Sequence, residues 1–198
     1  TIYRDAEESR LNDAIVTAAK NGKKVIIFIE VKARFDEHNN LKWGKIFEDN
    51  GATVIYSFPD IKIHSKILYI EKETENGKNR YGYIATGNFN EKTAKLYTDF
   101  GLMTSDKKIT KDLNKVFLVL QQKLLVPKTK RLLVSPYTTR SGFTELVQTE
   151  MQFARAGQPA SITLKMNSLE DKAMIKLLYQ ANNAGVKIRL LIRGICSL

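Results

Sequence analysis

Twice in its first sixty residues the chain repeats one order: apolar residues at helical spacing, an Asn-Gly stop, then a β-branched apolar run. Leu11, Ile15, Ala18 and Ala19 mark a helix, Asn21-Gly22 ends it, and Lys24 to Glu30 (KVIIFIE) follows as a strand. Leu41 to Asp49 reads as a second helix, Asn50-Gly51 ends that, and Thr53 to Phe58 (TVIYSF) is a second strand. Such alternation restricts the chain to α/β architecture. The centre of KVIIFIE lacks period-two alternation, which argues for burial on both faces in a largely parallel sheet. Lys66 to Glu71 and Tyr81 to Thr86 flank the polar stretch KETENGKNR, read as a hairpin with a solvated tip. Lys111 to Gln122 is read as a helix. A mixed sheet flanked by helices is the expected outcome.

Pro127-Lys128-Thr129-Lys130-Arg131 interrupts the pattern, being polar, basic and aperiodic, so the domain boundary is placed there, giving residues 1–127 and 128–198. The second piece is the more basic for its length. It reads as a helix around Gly142 to Ala156, a strand at Ser161 to Met166, a helix at Asp171 to Asn183 and a strand at Val186 to Arg193. A shift of about 163 positions superposes Gly22 on Gly185, Lys24 on Lys187, Ile29 on Ile192, and Leu11, Ile15 and Ala18 on Met174, Leu178 and Ala181. Two readings fit: a pattern common to any pair of βαβ units, or a duplicated domain. On the second, the first copy runs on to a histidine motif at residue 64, and the second stops before it could reach its own.

Charge and cysteine narrow the function. With 198 residues, no apolar run near the ~20 that span a bilayer, and one cysteine, Cys196, neither a disulfide framework nor a Cys-based zinc cluster can form. Cytoplasm is the expected compartment. Lys and Arg number 32 against 21 Asp and Glu, a net charge of +11, which favours acidic partners: nucleic acid, anionic lipid or polyphosphate. Helix-turn-helix, RRM and zinc-finger signatures are absent, so no dedicated nucleic-acid partner is expected. No P-loop or protein-kinase motif set is present either.

The chain has two histidines. His38, in FDEHNN just before a helix, reads as a solvated surface residue. His64 sits in Ile61-Lys62-Ile63-His64-Ser65-Lys66-Ile67, where alternation puts His64, Lys62 and Lys66 on one face if the segment is extended. Flanking ammonium groups disfavour the imidazolium, keep a nitrogen lone pair free to attack, and could hold phosphoryl oxygens. A partly exposed strand histidine among solvated lysines would read the same way. Asn88, in Ala85-Thr86-Gly87-Asn88-Phe89-Asn90, follows the end of a strand, where ligand groups of α/β sheets collect.

A HxK strand followed by a Gly-Asn turn resembles the phospholipase D superfamily, whose two HxK motifs meet at a pseudo-twofold interface. The acidic residue after HxK is here Glu71 where that superfamily has Asp. The closer resemblance is to the bacterial polyphosphate kinases that use a phosphohistidine intermediate. It rests on Val31-Lys32-Ala33-Arg34-Phe35-Asp36-Glu37, Ile61-Lys62-Ile63-His64-Ser65-Lys66, Thr86-Gly87-Asn88-Phe89-Asn90-Glu91-Lys92-Thr93-Ala94 and Leu96-Tyr97-Thr98-Asp99. Leu133-Val134-Ser135-Pro136, Leu164-Lys165-Met166-Asn167 and Ile192-Arg193-Gly194-Ile195-Cys196-Ser197-Leu198 continue it. It covers essentially the whole chain and corresponds to the middle portion of much longer enzymes.

The resemblance implies a phospholipase D-like fold, one complete domain plus part of a second repeat. It makes His64 the nucleophile that takes the γ-phosphoryl of ATP and passes it reversibly to polyphosphate. Arg4 and Arg34 match positions assigned to magnesium and phosphate; a guanidinium cannot give up its proton to ligate a cation, so both read physically as phosphate clamps. Tyr97 and Arg193 match nucleotide-contacting positions, with Lys66 and Asn88 joining them as phosphate and nucleotide groups. Mg2+, ATP or ADP and inorganic polyphosphate are the expected cofactor and partners. The family's second histidine falls past Leu198, so an inactive isolated chain is expected, with homo-oligomerisation and membrane association belonging to a longer enzyme. Two alternatives remain: a phospholipase D-like phosphodiesterase or nuclease, and a non-catalytic polyanion-binding module.

Overall fold

Ser9 opens the first helix, α1 (Arg10–Lys20), by accepting the Asn12 N–H on its hydroxyl, and Gly22, at φ +71°, turns the chain out of it. β1 (Ile26–Ile29) follows, then α2 (Glu37–Asp49), a second left-handed glycine at Gly51, and β2 (Thr53–Tyr56). The computed structural model describes residues 1–3, 8–31, 37–57, 62–75 and 77–198, in two compact units, Thr1–Leu132 and Leu133–Leu198.

In the first unit β1 and β2 pair in parallel, Ile27 opposite Val54. Phe28 and Ile29 are buried, as an unalternating apolar strand requires. Ile2, Ile27, Ile29, Trp43, Phe47 and Ala52 form the core beneath helices α1 and α2, with the Trp43 and Phe47 rings stacked at 5.7 Å.

Beside this pair lies an antiparallel trio: β3 (Lys66–Thr74), β4 (Gly77–Ala85) and β5 (Gly101–Thr104), in that order. Thr1 to Tyr3 lace the two groups together. Ile2 donates to Phe28 O and accepts from Glu30 N–H on one side, while Thr1 N donates to Ile67 O on the other. The result is a mixed α/β arrangement with parallel and antiparallel parts.

The stretch expected to be a solvated tip is mostly strand: pairing continues from Lys66 opposite Ala85 out to Thr74 opposite Gly77. Its polar residues satisfy each other across the ladder. Glu71 accepts from Tyr69 Oη (3.0 Å), Lys78 Nζ (2.7 Å) and Arg80 Nε (2.9 Å), and those partners hold its carboxyl down at about 2. The acidic residue after HxK is thus occupied in tying the hairpin. α4 (Lys107–Leu120), capped by Asp106, packs on β4 where Gly82 makes room for Leu113: a Cβ there would stand 2.9 Å from Leu113 Cδ2.

The first unit ends at Leu132, just past the basic stretch 127–131 in which the division was expected. Buried Asp112 on α4 draws residues 128–132 into the first unit, its Oδ2 accepting from Lys130 N–H (2.7 Å), Arg131 N–H (2.6 Å) and Leu132 N–H (3.3 Å). Sequence periodicity carries no trace of such a side-chain anchor.

The second unit runs α5 (Thr139–Arg155), β6 (Ser161–Met166), α6 (Lys172–Asn183) and β7 (Lys187–Ile192), with β6 and β7 parallel. Asp171 caps α6, and Gly185, at φ +96°, ends it. Val147, Met151, Ala181 and Val186 are its buried centre. Strand, helix, left-handed glycine and parallel strand thus recur in both units.

Candidate functional site

The carboxyl-terminal ends of parallel strands leave backbone groups that must find partners, and in the first unit a buried polar bracket supplies them. Glu30 follows β1 and is 1% exposed. Its Oε1 accepts from Ser57 Oγ (2.8 Å) and its Oε2 from Ile63 N–H (2.7 Å). Asn40, fully buried on α2, donates through Nδ2 to Glu30 O (2.8 Å) and Tyr3 O (3.0 Å). These bonds join the ends of β1 and β2, the Thr1–Tyr3 segment and the residues leading to His64.

His64 itself is exposed, while Lys66, the first residue of β3, is only 3% exposed. The Lys66 ammonium lies 2.9 Å from His64 Nδ1 and 3.1 Å from Nε2, and it donates to His64 O at 2.6 Å. An ammonium has no acceptor, so a ring nitrogen that takes a hydrogen bond from it does so through its lone pair. Tyr3 meets the imidazole edge to face, with centroids 4.4 Å apart. Lys66 Nζ stands 5.0 Å and Lys62 Nζ 5.4 Å from the centre of the Tyr3 ring. Residues 62–65 are not strand, so alternation alone does not account for the grouping of Lys62, His64 and Lys66; all three approach the Tyr3 ring, and Lys66 also bonds His64 directly.

The β3–β4 register, Lys66 opposite Ala85, carries residues 86–88 to the same end of the hairpin as His64. Thr86 hydroxyl donates to Asp99 Oδ1 (3.0 Å) and accepts from Phe100 N–H (3.0 Å), and Gly87 lies against the Asp99 carboxylate, where any side chain would collide. Asn88 Oδ1 is shut from solvent with no hydrogen-bond partner among the described residues, an acceptor waiting for a donor. Tyr97, half exposed, follows the short helix α3 (Glu91–Ala94), which Asn90 caps; its backbone N–H donates to Thr93 O.

Arg193 belongs to the second unit, at the end of β7, and is exposed; its backbone N–H donates to Met166 O (3.3 Å). Gly194 there lies so close to Asn167 that a Cβ would stand 2.7 Å from its carbonyl oxygen. Arg4 and Arg34 lie outside the described residues. His38 is exposed within α2 rather than ahead of it, and Cys196 is exposed. Among the described residues no three His, Cys, Asp or Glu side chains converge as a metal-binding group, and no helix is long and apolar enough to cross a membrane.

Tyr3, Glu30, Asn40 and Ser57 surround the histidine segment, and reasoning from the sequence missed all four. An acid closing a doubly buried strand was the one signal that could have marked Glu30.

Comparison with known proteins gives this arrangement a family. The family model for polyphosphate kinase C-terminal domain 1 matches residues 1–126, and that for C-terminal domain 2 matches residues 132–198. Polyphosphate kinases of Vibrio vulnificus strain CMCP6 and Escherichia coli K12 are 46% and 44% identical over 197 residues, covering all of this chain and 28% and 29% of those proteins. The chain therefore spans under a third of these relatives' length. The crystal structure of polyphosphate kinase from Porphyromonas gingivalis superposes with a TM-score of 0.86 at 39% identity, covering 100% of this chain and 33% of that one. With both family models matched in order and a solved relative of the same fold, the chain belongs to the polyphosphate kinase family.

Proposed function

We propose that this chain supplies the phosphoryl-accepting half of an ATP–polyphosphate phosphotransferase, with His64 as the nucleophile. What carries the reading is the exposed His64 imidazole with the Lys66 ammonium against its ring nitrogens, in a chain of the polyphosphate kinase family. The His64 lone pair attacks the γ-phosphorus of ATP, a P–N bond forms, and the P–O bond to ADP breaks. In the second step a terminal polyphosphate oxygen attacks the same phosphorus and the P–N bond breaks. Phosphoryl transfer passes through a loose transition state with charge on its equatorial oxygens. Lys66, relieved of the lone pair it was bonding, would turn its N–H donors to those oxygens, and Lys62 would add a second cation. Arg4 and Arg34 are proposed as phosphate clamps, Asn88 as an acceptor for a nucleotide hydroxyl or amine, and Tyr97 and Arg193 as nucleotide contacts.

Magnesium is expected with ATP; among the described residues no three His, Cys, Asp or Glu side chains converge, and arginines cannot coordinate it. It would arrive on the phosphate oxygens, where it offsets their charge, and no step here is routed through protein-bound metal. The phospholipase D-like relation of the two units and cytoplasmic placement belong to the same proposal. Alone, the chain is proposed to bind polyphosphate without completing turnover.

The competing diesterase reading uses the same histidine on a different substrate. In a full-length polyphosphate kinase carrying this segment, ATP formation from ADP and polyphosphate should vanish in His64→Ala, and phosphodiester cleavage should be negligible throughout. Diester cleavage lost in His64→Ala, with no ATP formed by the unaltered enzyme, would favour the diesterase.

A further inference from the structure

We infer that Glu30 is the positioning residue of the His64 segment, acting through the backbone of Ile63; the inference rests on the reading of His64 as phosphoryl acceptor. Residues 62–65 belong to no strand; Thr1 Oγ1 donates to Ser65 O (2.7 Å) and Lys66 Nζ to His64 O (2.6 Å), which hold the segment on the β3 side of the imidazole but leave its other side to be fixed. There a carboxylate 1% exposed takes the Ile63 N–H, one residue before the imidazole, at 2.7 Å. Every other bond to Glu30 described above makes it a rigid anchor. Its N–H donates to Ile2 O (2.9 Å), its carbonyl accepts from Asn40, and its second carboxylate oxygen accepts from Ser57, whose Oγ accepts from Val31 N–H at 3.1 Å. Asn40 also holds Tyr3 O, so the bracket sets both the segment bearing the imidazole and the ring it packs against.

Burying a carboxylate is costly unless several donors meet it. Here the donors include Ser57 Oγ and the backbone amide one residue before the nucleophile. The second unit treats the equivalent position differently. Ile29 bridges to Ile2 and Ile192 pairs with Met166, both in parallel, and the next residue donates its N–H back to the partner segment in each. That next residue is Glu30 in one unit and Arg193 in the other. The same corner of the repeated pattern holds an inward carboxylate in the first unit and an exposed cation in the second.

The chain's two histidines make the test readable by NMR of the imidazole protons. The Tyr3 ring should displace the His64 signals from those of solvated His38. Glu30→Ala should move the His64 signals toward His38's, with His38 and far-UV circular dichroism unchanged. Glu30→Gln keeps an oxygen for Ile63 N–H and should restore them. Unmoved His64 signals in a folded Glu30→Ala chain, or no restoration by Glu30→Gln, would overturn the inference. Should the alanine variant not fold, hydrogen exchange in the unaltered chain decides: Ile63 N–H should exchange at least ~100-fold slower than in an unfolded peptide, and exchange at the peptide rate counts against Glu30.

In a full-length polyphosphate kinase carrying this segment, Glu30→Ala should slow labelling of His64 by ATP about tenfold or more at an unchanged half-saturating ATP concentration. An unchanged labelling rate contradicts positioning. If the unaltered enzyme takes no label at His64, the acceptor reading fails, and the NMR result stands or falls by itself.

Discussion

At the scale of single residues, the histidine and lysines of the candidate site were legible because HxK is a local pattern, whereas their surroundings were not. Tyr3, whose ring Lys62, His64 and Lys66 all approach, is more than fifty positions away in sequence, and the lacing of Thr1–Tyr3 between β1 and β3 brings it there. Glu30 looked like the polar end of a strand. Gly87 gives a prediction at this scale. A methyl group there meets the Asp99 carboxylate, which must swing away from the Thr86 hydroxyl. Gly87→Ala should therefore cost about 1 kcal/mol of stability, the net worth of the Thr86–Asp99 hydrogen bond it breaks, in denaturant unfolding and loosen the turn that carries Asn88. A variant as stable as the parent would show that Asp99 can move freely.

Among elements, the longer helices and the long strands followed from the sequence pattern, the four-residue α3 did not, and most other departures lie at element ends. α4 begins at Lys107, earlier than expected, because Asp106 accepts from Lys108 and Ile109 N–H and opens an extra turn. β5 was missed: four residues with Leu102 and Met103 exposed carry no alternation to read, and the strand exists through its pairing with β4. The hairpin tip was misjudged because polar residues suggested a loop, while both strands run on through them with their side chains in solvent.

Asp112 tests how α4 holds the basic segment. Burial pushes its carboxyl up, but the N–H groups of Arg131, Lys130 and Leu132, with the Lys115 ammonium, outweigh that and keep it below the ordinary value. Because the folded state depresses this pKa, the stabilisation is complete above the ordinary carboxylate value of about 3.9 and is lost as pH falls through the lower folded value. Asp112→Asn should cost about 1.5–3 kcal/mol at pH 7, and the gap to the parent should narrow toward pH 3. Equal stabilities at pH 7, or a gap independent of pH, would show that the cradle contributes little.

For the whole molecule, the net charge of +11 was visible from the start, and its use is divided. Lys66 is buried against His64, while Lys107, Lys108 and Lys111 on α4 are exposed. Such surface cations act at a distance, so they should govern encounter rather than chemistry. Replacing all three by Gln should slow association with long-chain polyphosphate several-fold at ~0.01 M salt, and the difference should vanish near ~1 M, where the Debye length is about 3 Å. A difference that persists at high salt would mean that these lysines touch the bound chain.

The two-unit organisation was partly legible in the repeat of helix, glycine and strand. The aperiodic basic stretch 127–131 marked the region of the break; that Asp112 ties its residues to α4 could not be read there. The function turns on where the phosphoryl group goes. ATP labelled in its γ-phosphate, incubated with a full-length polyphosphate kinase carrying this segment and followed by peptide mapping, should leave acid-labile, base-stable label on His64 that polyphosphate or ADP discharges. Label on another residue, or none on His64 in an enzyme that turns over, would contradict it.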